Sequence, residues 1–276
     1  MAAGKKIKKS RTKDALENIY HRGQAKVWDG RMVLKHLVAK HGGIQELPPD
    51  KKRALQNIFA VILKGEDVAW KISLQLAESV GSIEARMAAT SQAHDEARHF
   101  YVMRDYLELT GYTPRPVPRP VHQALGMVAS TKSLAKKLLG MQLMVEPVAL
   151  TIFQEVRRTC PEPVLAELLE YFERDEARHV ALGVYYLPLV VENLSILELV
   201  SLITWQLRVF MLELQGLKEL KSDFEALGLD PIELFELAEK KQLSAMQDFV
   251  SELGISKKVW EPMRYFLRLQ RDRVLQ

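Results

Sequence analysis

Asp95-Glu96-Ala97-Arg98-His99 recurs unchanged eighty residues later as Asp175-Glu176-Ala177-Arg178-His179. In each copy Glu and His stand three apart, which on an α-helix sets a carboxylate and an imidazole side by side on one face. Such a pair is a metal-ligand motif, and the chain carries two. A carboxylate also precedes each copy by thirty residues: Glu66 before Glu96, and Glu146 before Glu176. The midpoints of these intervals, Gly81 and Pro161, are turn-forming residues, so each interval reads as a helical hairpin. Two positions equidistant from the turn of an antiparallel pair lie at one height, here about 22 Å above it at 1.5 Å per residue. Glu66 should therefore face Glu96, and Glu146 should face Glu176.

The likeness extends beyond the pentapeptide. Glu66-Asp67-Val68-Ala69 aligns with Glu146-Pro147-Val148-Ala149, and Ile72 aligns with Ile152. An internal duplication of one hairpin accounts for this. Two such hairpins related by a twofold axis perpendicular to the bundle need a long connection. Thr113 to Pro120 alternates proline with other residues, which enforces extended geometry. The segment 111–131 is thus expected to cross the bundle.

Glu66, Glu96, His99, Glu146, Glu176 and His179 then converge as four carboxylates and two imidazoles, the ligand set of a dinuclear site in a four-helix bundle. Four buried glutamates without counter-ions would repel one another and cost several kcal/mol each to desolvate. Two divalent cations neutralise them. Oxygen and imidazole donors without sulfur suit iron or manganese better than structural zinc. A metal-bound His usually donates its second N–H to a carboxylate. Asp175 is expected to serve His99, and Asp95 to serve His179, with Arg98 and Arg178 pairing the aspartates.

The rest of the chain fits an all-α protein. Its 276 residues are 47% hydrophobic, and apolar positions recur at three- and four-residue intervals. A four-helix bundle over 51–190 is expected, with a helical segment over 14–50 before it and C-terminal helices over 191–276 packed on the same domain. Lys5, Lys6, Lys8, Lys9, Arg11 and Lys13 against Asp14 make residues 1–13 a basic tail, read as disordered and solvated. The remainder is near neutral, and nucleic-acid binding is not expected. Cys160 is the only cysteine, so no intrachain disulfide or thiolate cluster can form, which favours a reducing, cytoplasmic setting. No signal peptide and no membrane span are expected.

With Glu, thirty residues, then Asp-Glu-x-Arg-His, twice over, the stretch from Gln56 to Leu187 resembles the ferritin-like diiron carboxylate proteins. That group includes bacterial multicomponent monooxygenases, acyl carrier protein desaturases and the ribonucleotide reductase small subunit. The resemblance implies a ferritin-like four-helix bundle holding two iron ions, with Mn/Fe as the variant. It implies dioxygen activation to hydroxylate, desaturate or N-oxygenate an apolar or aromatic substrate, free or carrier-bound. Electrons would come from an external ferredoxin or flavin reductase. A radical-generating subunit like that of the reductase, or a ligand-binding oxidase, is the alternative, and a non-enzymatic metal-binding helical protein is the second. Met103 stands where tyrosyl-radical subunits carry Tyr, and Met141 where the ligand-binding oxidases carry their cross-linked Tyr, so neither feature is expected here. Trp70, Met103, Leu150 and Phe153 are expected to line a substrate pocket, Pro147 to kink its helix, and the apolar helix after Leu194 to cover the bundle or form a homodimer interface.

Overall fold

The computed structural model describes residues 2–112, 115–159, 162–252 and 261–275, with side chains described for 10–244 and 265–275 outside those gaps. Helices account for nearly all of it, and no strand occurs among the described residues. Two helices precede the bundle, α1 (Ala2–Ala25) and α2 (Gly30–His41). Asp29 caps α2 by accepting from the Met32 amide, and Gly42 closes it in the left-handed conformation, at φ 73°.

The first hairpin joins α3 (Pro49–Ser79) to α4 (Ile83–Leu109) through Val80-Gly81-Ser82, and Ser82 caps α4. The Gly81 amide donates to the Tyr186 hydroxyl at 2.9 Å, which ties this turn to the second hairpin. A short helix α5 (Arg119–Ser130) follows, then α6 (Leu134–Gly140), a π-helical turn (Met141–Val145) and α7 (Glu146–Thr159) in unbroken succession. The next, α8 (Pro163–Val191), is capped by Glu162 and continues through Pro188. Beyond it lie α9 (Ile196–Glu219), α10 (Lys221–Ala226), α11 (Pro231–Glu252) and α12 (Glu261–Leu275).

At the centre are α3, α4, α7 and α8. Asp95 contacts His179 while His99 contacts Asp175, so α4 and α8 run antiparallel. Each hairpin being antiparallel within itself, α4 and α7 run in the same direction, as the twofold arrangement requires. The helices α1 and α2 cover α4 and α8; α9 packs on α5 and α6, α10 on α3, and α11 on α7 and α8. Apolar side chains fill two clusters, one at each end of the bundle, and the acidic centre lies between them.

Three expectations are corrected. Residues 2–13 are not a disordered tail but the first half of α1. Lys and Arg are good helix formers, Lys13 pairs with Glu84, and Leu16 and Ile19 bury the helix against the bundle. The crossover is not extended throughout: α5 starts at Arg119, because Pro120 in the first turn has no N–H to lose. Pro147 produces a π-helical turn rather than a simple kink. The Glu146 amide reaches back to Met141 carbonyl, five residues away, and the residue after it has no amide hydrogen to continue the α-helical ladder. The second hairpin's turn, with Cys160 and Pro161, and the expected start of the last helix at Lys257 lie outside the described residues.

Candidate metal centre

The bundle centre brings all six predicted ligands together, each at most 4% exposed. Their donor atoms form two groups, Glu66-Glu96-His99-Glu176 and Glu96-Glu146-Glu176-His179, with the atoms of each group within 4.8 Å of one another. Glu96 and Glu176 belong to both. Glu66 and His99 complete one group; Glu146 and His179 complete the other. Two ions, one held by each group, would share Glu96 and Glu176 and would each have one further carboxylate and one imidazole.

Each histidine turns Nδ1 inward. His99 Nδ1 lies 3.5 Å from Glu66, 3.4 Å from Glu96 and 3.2 Å from Glu176. His179 Nδ1 lies 3.0 Å from Glu96, 3.2 Å from Glu176 and 3.7 Å from Glu146. The other nitrogens point outward to the opposite hairpin: His99 Nε2 donates to Asp175 at 3.3 Å, and His179 Nε2 to Asp95 at 3.4 Å. Arg98 pairs with Asp95 and with Asp175 (3.1 Å), and Arg178 spans both aspartates at 2.8 Å. Because each aspartate takes the guanidinium of its own helix and of the facing one, the repeated pentapeptide also clamps α4 to α8.

Burial pushes Glu66 up to about 8 against the pull of His99. Burial, with the negative charges of Glu176 and Glu96, holds Glu146 well above the carboxylate range. For Glu96, burial also opposes ionisation, but the positive charges of His179 and His99 beside it outweigh burial and leave the carboxyl low. Burial disfavours charge on both imidazoles, yet their carboxylate neighbours raise them well above the usual range. Burial and mutual repulsion thus favour the protonated form at Glu66 and Glu146, and the surrounding carboxylates favour it at both histidines.

The donor set fits a pair of divalent ions. His99 Nδ1 and Glu96 Oε2 are buried with no hydrogen-bond partner. Orphaned donor atoms at the centre of four carboxyls are costly in a finished core and are what a metal would satisfy.

Two neighbours were not readable as site residues. Gln92, one turn before Glu96, donates to Glu96 (3.0 Å) and Glu146 (2.9 Å), and accepts from Gln142 in the π turn at 3.2 Å. It links the two hairpins through Glu146 and Gln142. Trp28, between α1 and α2, donates Nε1 to Asp175 at 2.8 Å and lies beneath the Arg98 guanidinium at 4.9 Å. A glutamine one turn before a ligand is a weak sequence signal, and Trp28 is distant from the repeat.

A cavity of about 150 Å³ adjoins the cluster. Its walls come from α3 (Ile62, Gly65, Ala69), from the α6–α7 stretch (Met141, Val145, Ile152), and from α9 to α11. The four expected pocket residues are not among them. Met103 and Phe153 are fully buried core, Leu150 is half-buried, and Trp70 is 37% exposed beside Phe100. The cavity lies on the side of Glu66 that carries Ile62 and Ala69, between α3 and the helices α9 and α11, which have no counterpart in the duplicated hairpins.

No family model matches the sequence, and no curated protein matches it. Solved structures do. A protein from Synechococcus with aldehyde deformylating oxidase activity superposes with a TM-score of 0.61 at 15% identity, over 73% of this chain and 92% of that one. A variant of an R2-like ligand-binding oxidase with an aerobically reconstituted Mn/Fe cofactor gives 0.62 at 15% identity, over 87% and 93%. A putative class I ribonucleotide reductase from Bacillus halodurans gives 0.63 at 14%, over 88% and 93%. The chain therefore has the ferritin-like fold that these proteins share, and no helix among its described residues is long and apolar enough to cross a membrane.

Proposed function

We propose that the protein is a dinuclear non-haem oxidase or oxygenase acting on an apolar organic substrate. Glu66, Glu96, His99, Glu146, Glu176 and His179 are its metal ligands. The observation that carries this reading is the sharing of Glu96 and Glu176 between two buried donor groups. Bound iron, or manganese with iron, supplies the redox chemistry that reduces dioxygen. Asp95 and Asp175 hold each histidine in the tautomer that leaves Nδ1 free to coordinate, and Arg98 and Arg178 hold the aspartates ionised and in place. The apolar wall of the adjoining cavity excludes water and receives the substrate. No flavin, nicotinamide or iron–sulfur motif accompanies the ligands, so electrons come from an external ferredoxin or flavin reductase. The contact chain Trp28, Asp175, His99 offers them a route inward. Cytoplasmic location and a homodimer belong to this reading.

That same chain supports a second reading, a subunit like the ribonucleotide reductase small subunit or a ligand-binding oxidase, which passes oxidising equivalents outward to a partner or to its own residues. The adjoining cavity favours the first.

The test is anaerobic loading with ferrous iron, alone and with manganese, followed by metal analysis and oxygen uptake. About two ions per chain and oxygen consumption by the reduced protein are expected. Glu96→Ala and Glu176→Ala should abolish both, since each removes a donor from both groups. Fewer than about half an ion per chain in the unaltered protein would overturn the reading, because a pair of adjacent sites this acidic fills together. Oxidation of an added apolar compound separates the first reading from the second.

A further inference from the structure

The cavity beside the cluster has a second polar end that the proposed metal chemistry does not use. Apart from the four ligand carboxylates, its polar lining among the described residues consists of Glu213 on α9 with Glu239 and Gln242 on α11. Among the described lining residues there is no Lys, Arg or His. Once two divalent ions balance the four ligand glutamates, Glu213 and Glu239 remain as acidic groups on an otherwise apolar wall. Glu239 has Arg268 approaching it at 4.0 Å, from a largely exposed position outside the cavity. Among the described residues Glu213 has no such partner: its Oε1 is shut off from solvent and makes no hydrogen bond there. Gln242 lies against the same carboxyl while donating its amide to the Met144 carbonyl at 3.1 Å.

A carboxyl facing an apolar cavity with an unmet oxygen is costly unless something completes it. Burial also pushes Glu213 up to about 8, so an entering neutral amine can take the carboxyl's proton and form an ammonium–carboxylate pair. The proton moves from oxygen to nitrogen and no other ion is needed. A carboxylate or phosphate beside Glu213 would face acidic side chains with no Lys, Arg or His among the described lining residues.

We propose that Glu213 is the specificity-determining anchor of this cavity and that it selects an amine-bearing apolar substrate, binding the nitrogen while the hydrocarbon part lies against the wall between α3, α7 and α9. This rests on the oxidase reading and narrows its substrate class. Gln242 orients the Glu213 carboxyl, and the anchor sits on the C-terminal helices, away from the duplicated hairpins.

The test uses the full-length, metal-loaded protein and three probes of one chain length: hexylamine, 1-hexanol and hexanoate. Binding is followed by calorimetry and by the shift in melting temperature, neither of which needs turnover. Hexylamine is expected to bind at least about tenfold more tightly than hexanoate, and Glu213→Gln to weaken hexylamine by about tenfold or more while leaving 1-hexanol within about twofold. Equal hexylamine affinity in the unaltered protein and Glu213→Gln, or tighter binding of hexanoate, would overturn the proposal. Should Glu213→Gln fail to fold, Glu213→Leu and the three-probe comparison on the unaltered protein decide by the same criteria. Metal content is measured on the same samples: two ions with no effect of Glu213 defeats this proposal alone, whereas absent metal defeats the oxidase reading and leaves the amine contrast measurable.

Discussion

Glu66 is a carboxyl that burial alone would keep protonated, and the metal-free protein holds it so, at about 8. Replacing it by Gln should therefore leave the metal-free fold as stable or raise its melting point by a few degrees, while weakening metal retention at least about tenfold. Thermal melts of metal-free and metal-loaded samples check both halves. The same protonation sets the sign of the pH dependence. Ligands must shed protons to coordinate, and the metal-free environment favours the protonated form of Glu66, Glu146, His99 and His179. Metal binding should release protons from these four groups, and affinity should rise with pH and fall as pH drops. Calorimetry in buffers of different ionisation heat measures the release directly. At Trp28 the prediction is kinetic: Trp28→Phe removes the hydrogen bond to Asp175, worth about 1 kcal/mol. Metal content should be unchanged and reduction by an external donor slowed at least about tenfold, as rapid-mixing spectroscopy would record.

Among the elements, the stretch from α6 to α7 differs most from its counterpart in the first hairpin. Both begin from the same ancestral pattern, yet α3 is continuous where the second copy has a π turn ending at Glu146. Proline follows the ligand in one copy and Asp67 in the other, and that one exchange removes the amide hydrogen an α-helix would need. The turn fits only because Gly183 on α8 has no side chain: a Cβ there would come within 2.5 Å of Gln142 Cβ and 3.1 Å of the Leu143 side chain. Gly183→Ala should cost about 1–3 kcal/mol by overpacking and disturb the Gln142–Gln92–Glu146 contacts. Denaturant melts give the first, and metal titration the second as a preferential loss at one of the two sites. The first hairpin was legible: its turn falls at Gly81, between α3 and α4, as the midpoint of the thirty-residue interval required. Missed were the π turn, the helical start of α1 and the short helix α5, each decided by a local exchange of hydrogen bonds or by burial against a distant helix.

Over the whole molecule, the metal centre and the fold are linked. Metal that binds the native chain and not the unfolded one raises stability by about 1.4 kcal/mol for each tenfold excess over its dissociation constant. Loading should therefore raise the melting temperature by many degrees, and a chelator should reverse the gain. The increase should shrink as pH falls, because acid returns protons to Glu66 and Glu146.

The repeated pentapeptide and its thirty-residue offsets determined the all-α class, the two hairpins and the six converging side chains, since helical period and turn position translate directly into height and face. The crossed Asp–His contacts were readable for the same reason: twofold symmetry is written in the repeat. Only the tertiary structure decided on which side of the cluster the cavity lies. That side is set by α9 and α11, which lie outside the repeat, so Trp70, Met103, Leu150 and Phe153 pack or face away while Glu213 and Gln242 reach the cavity. Spacing fixes the relations within a helix and its hairpin partner; contacts between segments far apart in sequence follow from packing, and no local period encodes them.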